Sequence, residues 1–170
     1  MVTDPRASRE WAEAAAGRVM ARCDDLARIT SDPGGTTRFY LTDEHRAANA
    51  LVAGWMAESD LSSRQDEAGN LRGRSPQHAG RPALFLGSHL DTVARAGRYD
   101  GMLGVLMALE MAADLAADAS APPLEVIAFW DEEGGRFSKA MLGSSAVAGV
   151  WDDAWLNLTD AHGVSLAAAL

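Results

Sequence analysis

The sequence has little cysteine, a deficit of positive charge and no long hydrophobic run, and each shortage excludes something. Cys23 is the only cysteine, so an internal disulfide and a thiolate-rich zinc site are excluded, and a reducing compartment fits. The 15 Lys and Arg against 24 Asp and Glu give a net charge of -9, which argues against nucleic acid or an anionic membrane as partner. The longest apolar-rich run, 102–115, contains Gly104, Glu110 and Asp114 and is too short to span a bilayer.

The remaining composition is typical of one globular domain. Hydrophobic residues make up 48% and charged residues 23% of the 170 positions, which is enough to bury a core. Residues 1–6 lack the basic start and apolar stretch of a secretory signal. We therefore expect a soluble, cytoplasmic protein that enters no membrane.

Hydrophobic spacing predicts two helices and a hairpin in the first half of the chain. Asp4 or Ser8 can cap a first helix that runs to about Ile29, with Pro5 suited to its first turn. Thr42 can cap a second helix with an apolar stripe. A hairpin is predicted from two short segments on either side of Glu67-Ala68-Gly69-Asn70, namely 62–66 and 71–74.

The second half reads as strand, helix, strand. A short apolar run at 83–87 predicts a buried strand, 101–118 predicts a helix, and 124–130 predicts a second core strand. A crossover of this length implies that the two strands are parallel. The predicted fold class is α/β, with a mostly parallel sheet flanked by helices and an early hairpin.

Three polar clusters follow these core elements: Gly87-Ser88-His89-Leu90-Asp91, Tyr99-Asp100-Gly101 and Asp131-Glu132-Glu133-Gly134. The first and third follow the two core strands, and the second opens the intervening helix. Because ligands gather beyond the carboxyl ends of parallel strands, we expect the clusters to converge at one edge of the sheet. An imidazole with several carboxylates is the donor set of a hydrolytic metal centre.

The residue types allow a division of roles. His89 is the natural nitrogen donor, Asp91 can orient a neighbouring group, and Asp100 can bridge two metals. Of Glu132 and Glu133, one can serve as general base and the other as metal ligand, since adjacent side chains diverge.

Each cluster taken alone has a plainer explanation. A histidine after a strand is more often only hydrogen-bonded, an Asp-Gly pair is usually a turn, and a Glu pair suits a solvated helix start. These explanations must hold separately for three clusters at one edge, which makes the metal site the better hypothesis. His45, His78 and His162 are predicted to be solvated, and Cys23 to be a small buried hydrophobe.

The motifs around these residues resemble the di-zinc amidohydrolases of the metallopeptidase-like superfamily. This group contains N-carbamoyl-L-amino-acid hydrolases, allantoate amidohydrolases and β-ureidopropionases. The similar segments are Gly-Ser-His-Leu-Asp-Thr-Val, Gly-Arg-Tyr-Asp-Gly and Asp-Glu-Glu-Gly-Gly-Arg-Phe, with Thr37-Arg38 and Gly69-Asn70-Leu71 in support. The Glu-Glu-Gly-x-Arg-Phe string favours this branch over aminoacylase or dipeptidase relatives.

The resemblance implies a zinc-exopeptidase-like catalytic domain and a role for each site residue. His89 would bind one metal, Glu133 the other, and Asp100 would bridge them. Glu132 would be the base that deprotonates the attacking water, with Asp91 as its neighbour. The implied reaction is hydrolysis of a carbamoyl or ureido C–N bond in a small molecule. Two divalent ions are implied, with zinc favoured and manganese, cobalt or nickel allowed, in a homodimeric complete enzyme.

The resemblance also implies parts that this sequence does not contain. Relatives have two further histidine ligands, the first in a His-x-Glu-Gln-Gly-Pro motif, and an inserted dimerisation domain. We therefore expect residues 1–170 to form the N-terminal part of one catalytic domain, without the dimerisation domain and the C-terminal part, and to be inactive alone. Three alternatives stay open: a non-catalytic remnant, half of a split enzyme, or an aminoacylase- or aminopeptidase-type specificity.

Overall fold

The computed structural model describes residues 8–116, 118 and 120–170. Within them, the predicted helices, hairpin and strand–helix–strand unit are all present. The elements are α1 (Arg9–Ala27), α2 (Asp43–Glu58), β1 (Ser62–Gln65), β2 (Leu71–Arg74), β3 (Leu84–His89), α3 (Met102–Leu115), β4 (Leu124–Phe129), α4 (Leu142–Ala148) and α5 (Leu166–Ala169). Two short 3-10 helices span Pro76–His78 and Asp153–Asn157.

Side-chain caps begin the first two helices. Ser8 Oγ accepts a hydrogen bond from the Trp11 amide at 3.1 Å, so Ser8 is the cap of α1. The alternative cap Asp4 and the neighbouring Pro5 lie outside the described residues. Thr42 caps α2 as predicted. None of the described helices combines the length and the apolar character needed to cross a bilayer.

The four strands form one mixed sheet in the order β1-β2-β4-β3. β3 and β4 are parallel, from Leu84 opposite Leu124 to His89 opposite Phe129, which confirms the predicted strand–helix–strand unit. β1 pairs with β2, and β2 with β4, in antiparallel fashion. The α/β class is therefore confirmed, but the sheet is mixed rather than mostly parallel. The reason is that a short hairpin loop forces antiparallel pairing, and the hairpin joins the parallel pair directly.

Helices α2 and α3 pack on one face of this sheet. Gly73 of β2 faces Met56 of α2, and Gly104 of α3 lies against Ser88 of β3. Helix α1 packs on α3. The opposite face carries charged side chains, including an ion pair between Arg72 and Glu125. The parallel strands therefore present their carboxyl ends next to the start of α3.

His45 is buried, and the prediction that it would be solvated is wrong. The residue is 1% exposed, and its ring stacks on that of Trp130, at 3.7 Å between ring centroids, and on that of Tyr40. Nδ1 accepts the Leu41 amide hydrogen, and Nε2 lies 3.2 Å from the Gly69 carbonyl oxygen, which can only accept. The imidazole is therefore neutral. The hairpin turn and the end of β4 cover this helical surface, and neither contact is visible in the local sequence.

The other single-residue predictions are simpler to report. Cys23 is fully buried, as predicted. His162 is exposed, and His78 is partly exposed in its 3-10 helix. Helix α3 ends at Leu115, three residues before the predicted boundary.

The contact between α3 and β3 predicts opposite effects for two Gly→Ala substitutions. A Cβ at Gly104 would lie 2.7 Å from Ser88 Cβ, whereas nothing lies within 4 Å of a Cβ at Gly17 in α1. Gly17→Ala should raise the free energy of unfolding by about 0.5–1 kcal/mol through helix propensity. Gly104→Ala should lower it by about 1–3 kcal/mol because the helix must move off the strand. Urea unfolding measures both, and equal effects would mean that the helix is not tightly packed there.

Burial of neutral His45 predicts an acid-sensitive contribution to stability. Burial, the largest cause, lowers the pKa of His45 to about 4 from an ordinary value of 6.5. Below pH 6.5 the unfolded chain binds a proton that the folded chain does not bind until about pH 4. The stabilisation is therefore present above pH 6.5 and is lost as the pH falls, by about 3 kcal/mol in total. The difference in unfolding free energy between the protein and His45→Gln should shrink by that amount between pH 7 and pH 4; a constant difference would contradict it.

Candidate metal centre

His89 is the last residue of β3, and its ring is held in one orientation. Nδ1 lies 2.9 Å from the backbone carbonyl oxygen of Asp91. A carbonyl oxygen only accepts hydrogen bonds, so Nδ1 carries the proton and Nε2 keeps its lone pair. The side chain is 12% exposed, so the imidazole is largely shielded from solvent.

Two carboxylates lie near that nitrogen, and a third carboxylate lies close to the same group. Nε2 lies 3.7 Å from Glu132 Oε2 and 4.0 Å from Asp100 Oδ1. His89, Glu132 and Glu133 each offer one ligand atom within 4.8 Å of the others. The structure thus brings His89, Asp100, Glu132 and Glu133 together at one edge of the sheet, as the three sequence clusters predicted.

Asp91 lies behind these groups rather than among them. Its side chain is buried, Oδ1 accepts the Glu132 amide hydrogen at 3.2 Å, and Oδ2 accepts that of Glu133 at 3.1 Å. Burial raises the pKa of Asp91, and these two hydrogen bonds oppose the rise. One carboxylate therefore ties the end of β3 to the glutamate pair that follows β4.

A buried arginine supports the same segment from the other side. Arg38 is fully buried and donates from Nε to the Leu90 carbonyl oxygen at 2.7 Å. Its amide donates to Thr92 Oγ1 at 2.9 Å. Arg38 thus fixes the residues on both sides of Asp91.

Backbone conformations that favour glycine make room for the site. Gly101 has φ 68°, and a Cβ there would overlap the His89 ring, so only glycine lets Asp100 and the start of α3 approach the histidine. The chain leaves β4 through Asp131, which has φ 55°, and turns again at Gly134 with φ 66°. These turns direct the chain after β4 back towards β3.

The local charge is strongly negative. Burial raises the pKa of Glu133, and the charges of Asp100 and Glu132 raise it further. Asp131 is 1% exposed, and neither of its side-chain oxygens has a hydrogen-bond partner in the described part of the chain. Burial and the neighbouring charge of Asp91 raise its pKa to about 7. Such a concentration of carboxylates favours a cation.

The donor set fits a divalent metal ion. Ligand atoms lie about 2.1 Å from zinc, so two ligands of one ion are at most about 4.2 Å apart. The separations of His89 Nε2 from Glu132 and from Asp100 fall within that limit. An imidazole nitrogen with carboxylate oxygens suits zinc and also manganese, cobalt or nickel.

Comparison with known proteins then decides the family. Residues 68–162 match the sequence model of Peptidase family M28, and this segment contains all three clusters. The match covers more than half of the chain. The chain belongs to Peptidase family M28.

Relatives of this M28 chain include amidohydrolases. It is 38% identical over 156 residues to an allantoate deiminase of Arabidopsis thaliana, covering 89% of this chain and 30% of the relative. It is 41% identical over 157 residues to an N-carbamoyl-L-amino acid amidohydrolase of Geobacillus stearothermophilus, covering 90% and 38%. The sequence resemblance to this group is confirmed.

A solved structure shares the fold. A hydantoinase/carbamoylase family amidase from Burkholderia ambifaria superposes with a TM-score of 0.82 at 38% identity, covering 91% of this chain and 39% of the amidase. The chain thus spans about a third of the length of the relatives that it matches.

Within this M28 site, the structure leaves some predicted roles open and adds residues that the sequence did not identify. Glu132 approaches His89 as closely as Asp100 does, so the assignment of base and ligand to Glu132 and Glu133 stays a prediction. Sequence analysis assigned no role to Arg38 or Asp131. The sequence did mark both positions, because Arg38 belongs to the Thr-Arg pair and Asp131 precedes the two glutamates. That both side chains are buried follows only from the fold.

The buried Asp131 predicts a pH-dependent gain from an uncharged substitute. Its pKa is raised in the fold, so its favourable contribution is complete below about pH 3.8 and is lost as the pH rises through about 7. In metal-free protein, Asp131→Asn should therefore raise the free energy of unfolding at pH 8 by up to about 4 kcal/mol relative to its effect at pH 4. Chemical unfolding in the presence of a chelator measures this, with exposed Asp153→Asn as control. A pH-independent effect would contradict the assignment.

Proposed function

We propose that this chain supplies the first part of the catalytic site of a metal-dependent amidohydrolase. Its substrates would be small carbamoyl or ureido compounds, such as N-carbamoyl-L-amino acids or allantoate. The observation that carries the proposal is that His89, Glu132 and Glu133 offer ligand atoms within 4.8 Å of one another, with Asp100 beside them. The names of the similar amidohydrolases support this substrate class over aminoacylase- or aminopeptidase-type specificity.

In this proposal, each residue has one task. His89 Nε2 and Glu133 would hold divalent ions, and Asp100 would lie between two of them. Zinc is the favoured ion; when bound, such ions polarise the substrate carbonyl and lower the pKa of water. Asp91 holds the Glu132 and Glu133 backbone, so both carboxylates keep their direction during the reaction.

Glu132 is proposed as the proton carrier. Its side chain is 37% exposed, so it is accessible to water and to substrate. It would take a proton from the water that attacks the ureido carbon and deliver it to the departing nitrogen. One C–O bond forms and one C–N bond breaks, and the resulting carbamate releases carbon dioxide. One water thereby converts a carbamoyl amine into free amine, ammonia and carbon dioxide.

The site within these residues has one histidine donor. Because the chain spans about a third of its relatives' length, we propose that groups outside these 170 residues complete the ligand set and bind the substrate. A homodimer of the complete enzyme and a cytoplasmic location stay predictions. The isolated chain should turn over little or no substrate.

Metal binding is the first test of the proposed site. Isothermal titration of the metal-free chain with zinc near neutral pH should show binding that depends on the proposed ligands. His89→Ala and Glu133→Gln should each weaken zinc binding by more than about 100-fold, beyond the loss expected for an outer residue. Glu132→Gln should keep most of the affinity because Glu132 is proposed as base and not as ligand.

His162→Ala is the matched control, since that histidine is exposed and distant in the sequence. Equal losses for His89→Ala and His162→Ala would disprove the site. Turnover can be tested by replacing the matching segment of the Geobacillus stearothermophilus relative with this chain. Ammonia release from an N-carbamoyl-L-amino acid should appear in the chimera and disappear with Glu132→Gln; a folded chimera without turnover would overturn the proposed catalytic role of these residues.

A further inference from the structure

The segment that carries Glu132 and Glu133 is a loop closed at its base. It leaves β4 at Trp130 and returns to the sheet edge at the start of α4. Backbone hydrogen bonds close it: Gly143 N–H donates to the Trp130 oxygen at 3.0 Å, and Leu142 N–H donates to the Asp131 oxygen at 3.3 Å. The direction of both glutamates therefore depends on how firmly this base is held.

One side chain from another part of the sheet binds both ends of that base. Asn70 is fully buried immediately before β2. Its Oδ1 accepts the Trp130 amide hydrogen at 3.0 Å, and its Nδ2 donates to the Gly143 carbonyl oxygen at 3.0 Å. The two ends of the loop are thus linked through a single amide group.

Asn70 is itself fixed by the hairpin turn. Its Nδ2 also donates to Asp66 Oδ2 at 3.0 Å, and its backbone amide donates to Asp66 Oδ1 at 3.0 Å. Every polar atom of the buried amide side chain has a partner, so its orientation is determined.

The fit around Asn70 leaves no spare space. A Cβ at Gly143 would overlap Asn70 Oδ1 and would lie 2.6 Å from the Trp130 carbonyl oxygen. Glycine at this position is therefore what permits α4 to begin against the asparagine.

We propose that Asn70 is a positioning residue for the glutamate pair. Asp91 holds the Glu132 and Glu133 amides at the top of the loop, and Asn70 holds its base, so the two buried side chains fix the loop at two levels. Asn70 contacts neither metal ligand nor substrate and acts only through the backbone. The effect of Asn70 on zinc affinity rests on the proposed function, whereas its effect on hydrogen exchange of the loop does not.

The test uses Asn70→Asp in the full 170-residue chain. The carboxylate can still accept the Trp130 amide hydrogen, but its second oxygen faces Asp66 Oδ2 and the Gly143 oxygen, which only accept. The link between the two ends of the loop is therefore lost. Hydrogen exchange of metal-free protein should be faster by about 10-fold in peptides covering 131–142 and unchanged in α3. Zinc affinity should fall by about 10-fold or more, as for residues that orient ligands from outside.

Two further variants separate positioning from simple destabilisation. Leu109→Ala weakens the core within α3 and should leave zinc affinity and exchange of the loop relative to the rest of the chain unchanged. Gly143→Ala breaks the contact between Gly143 and the Asn70 side chain without altering Asn70 itself. Gly54→Ala is its control, because nothing lies within 4 Å of a Cβ at Gly54. Gly143→Ala should reproduce the Asn70→Asp result, and Gly54→Ala should not.

The outcomes are distinct. Folded Asn70→Asp with normal loop exchange and normal zinc affinity would overturn the inference, as would an equal loss of affinity in Leu109→Ala. If Asn70→Asp does not fold, Gly143→Ala decides by the same two measurements. If the unsubstituted chain binds no zinc, the proposed function fails, and loop exchange alone supports or overturns the role of Asn70.

Discussion

The site depends on one buried carboxylate that accepts hydrogen bonds from two consecutive backbone amides. Asp91 joins the end of β3 to the glutamate pair beyond β4. The parallel pairing ends with the strands, so it does not itself position the glutamates relative to β3. A charged group in that position is costly to bury, and the two amide donors offset part of the cost. Arg38, on the other side of the same segment, adds a buried cation held by backbone carbonyls. The precision of the site is therefore built into main-chain contacts.

Much of this arrangement was predictable because strand ends are local features. The apolar runs before His89 and before Asp131 predicted two parallel strands, and parallel strands bring their carboxyl ends together. The direction of the remaining strands was not predictable in the same way. A hairpin can stand beside a sheet or join it, and the choice is made by contacts such as that of Gly73 with Met56, which are distant in sequence.

The buried polar residues explain the remaining differences. His45 and Asn70 both have polar side chains, yet each is nearly inaccessible to solvent. Burial is possible because each side chain accepts a hydrogen bond from a backbone amide outside its own element. Sequence patterns register polarity but not partners, so such residues resemble surface positions until the fold is known. Asp131 differs from them, since it is buried without hydrogen-bond partners in the described residues and adds charge to a site already rich in carboxylates.

The position of β3 has a consequence for what can approach the histidine. Among the described strands, β3 pairs with β4 alone, and its Leu84 and Phe85 are more than half exposed. The main-chain groups on the other side of β3 are therefore open to a further strand, from elsewhere in the protein or from another chain. A strand that paired there would run directly beside His89 and would bring its own side chains to the metal centre.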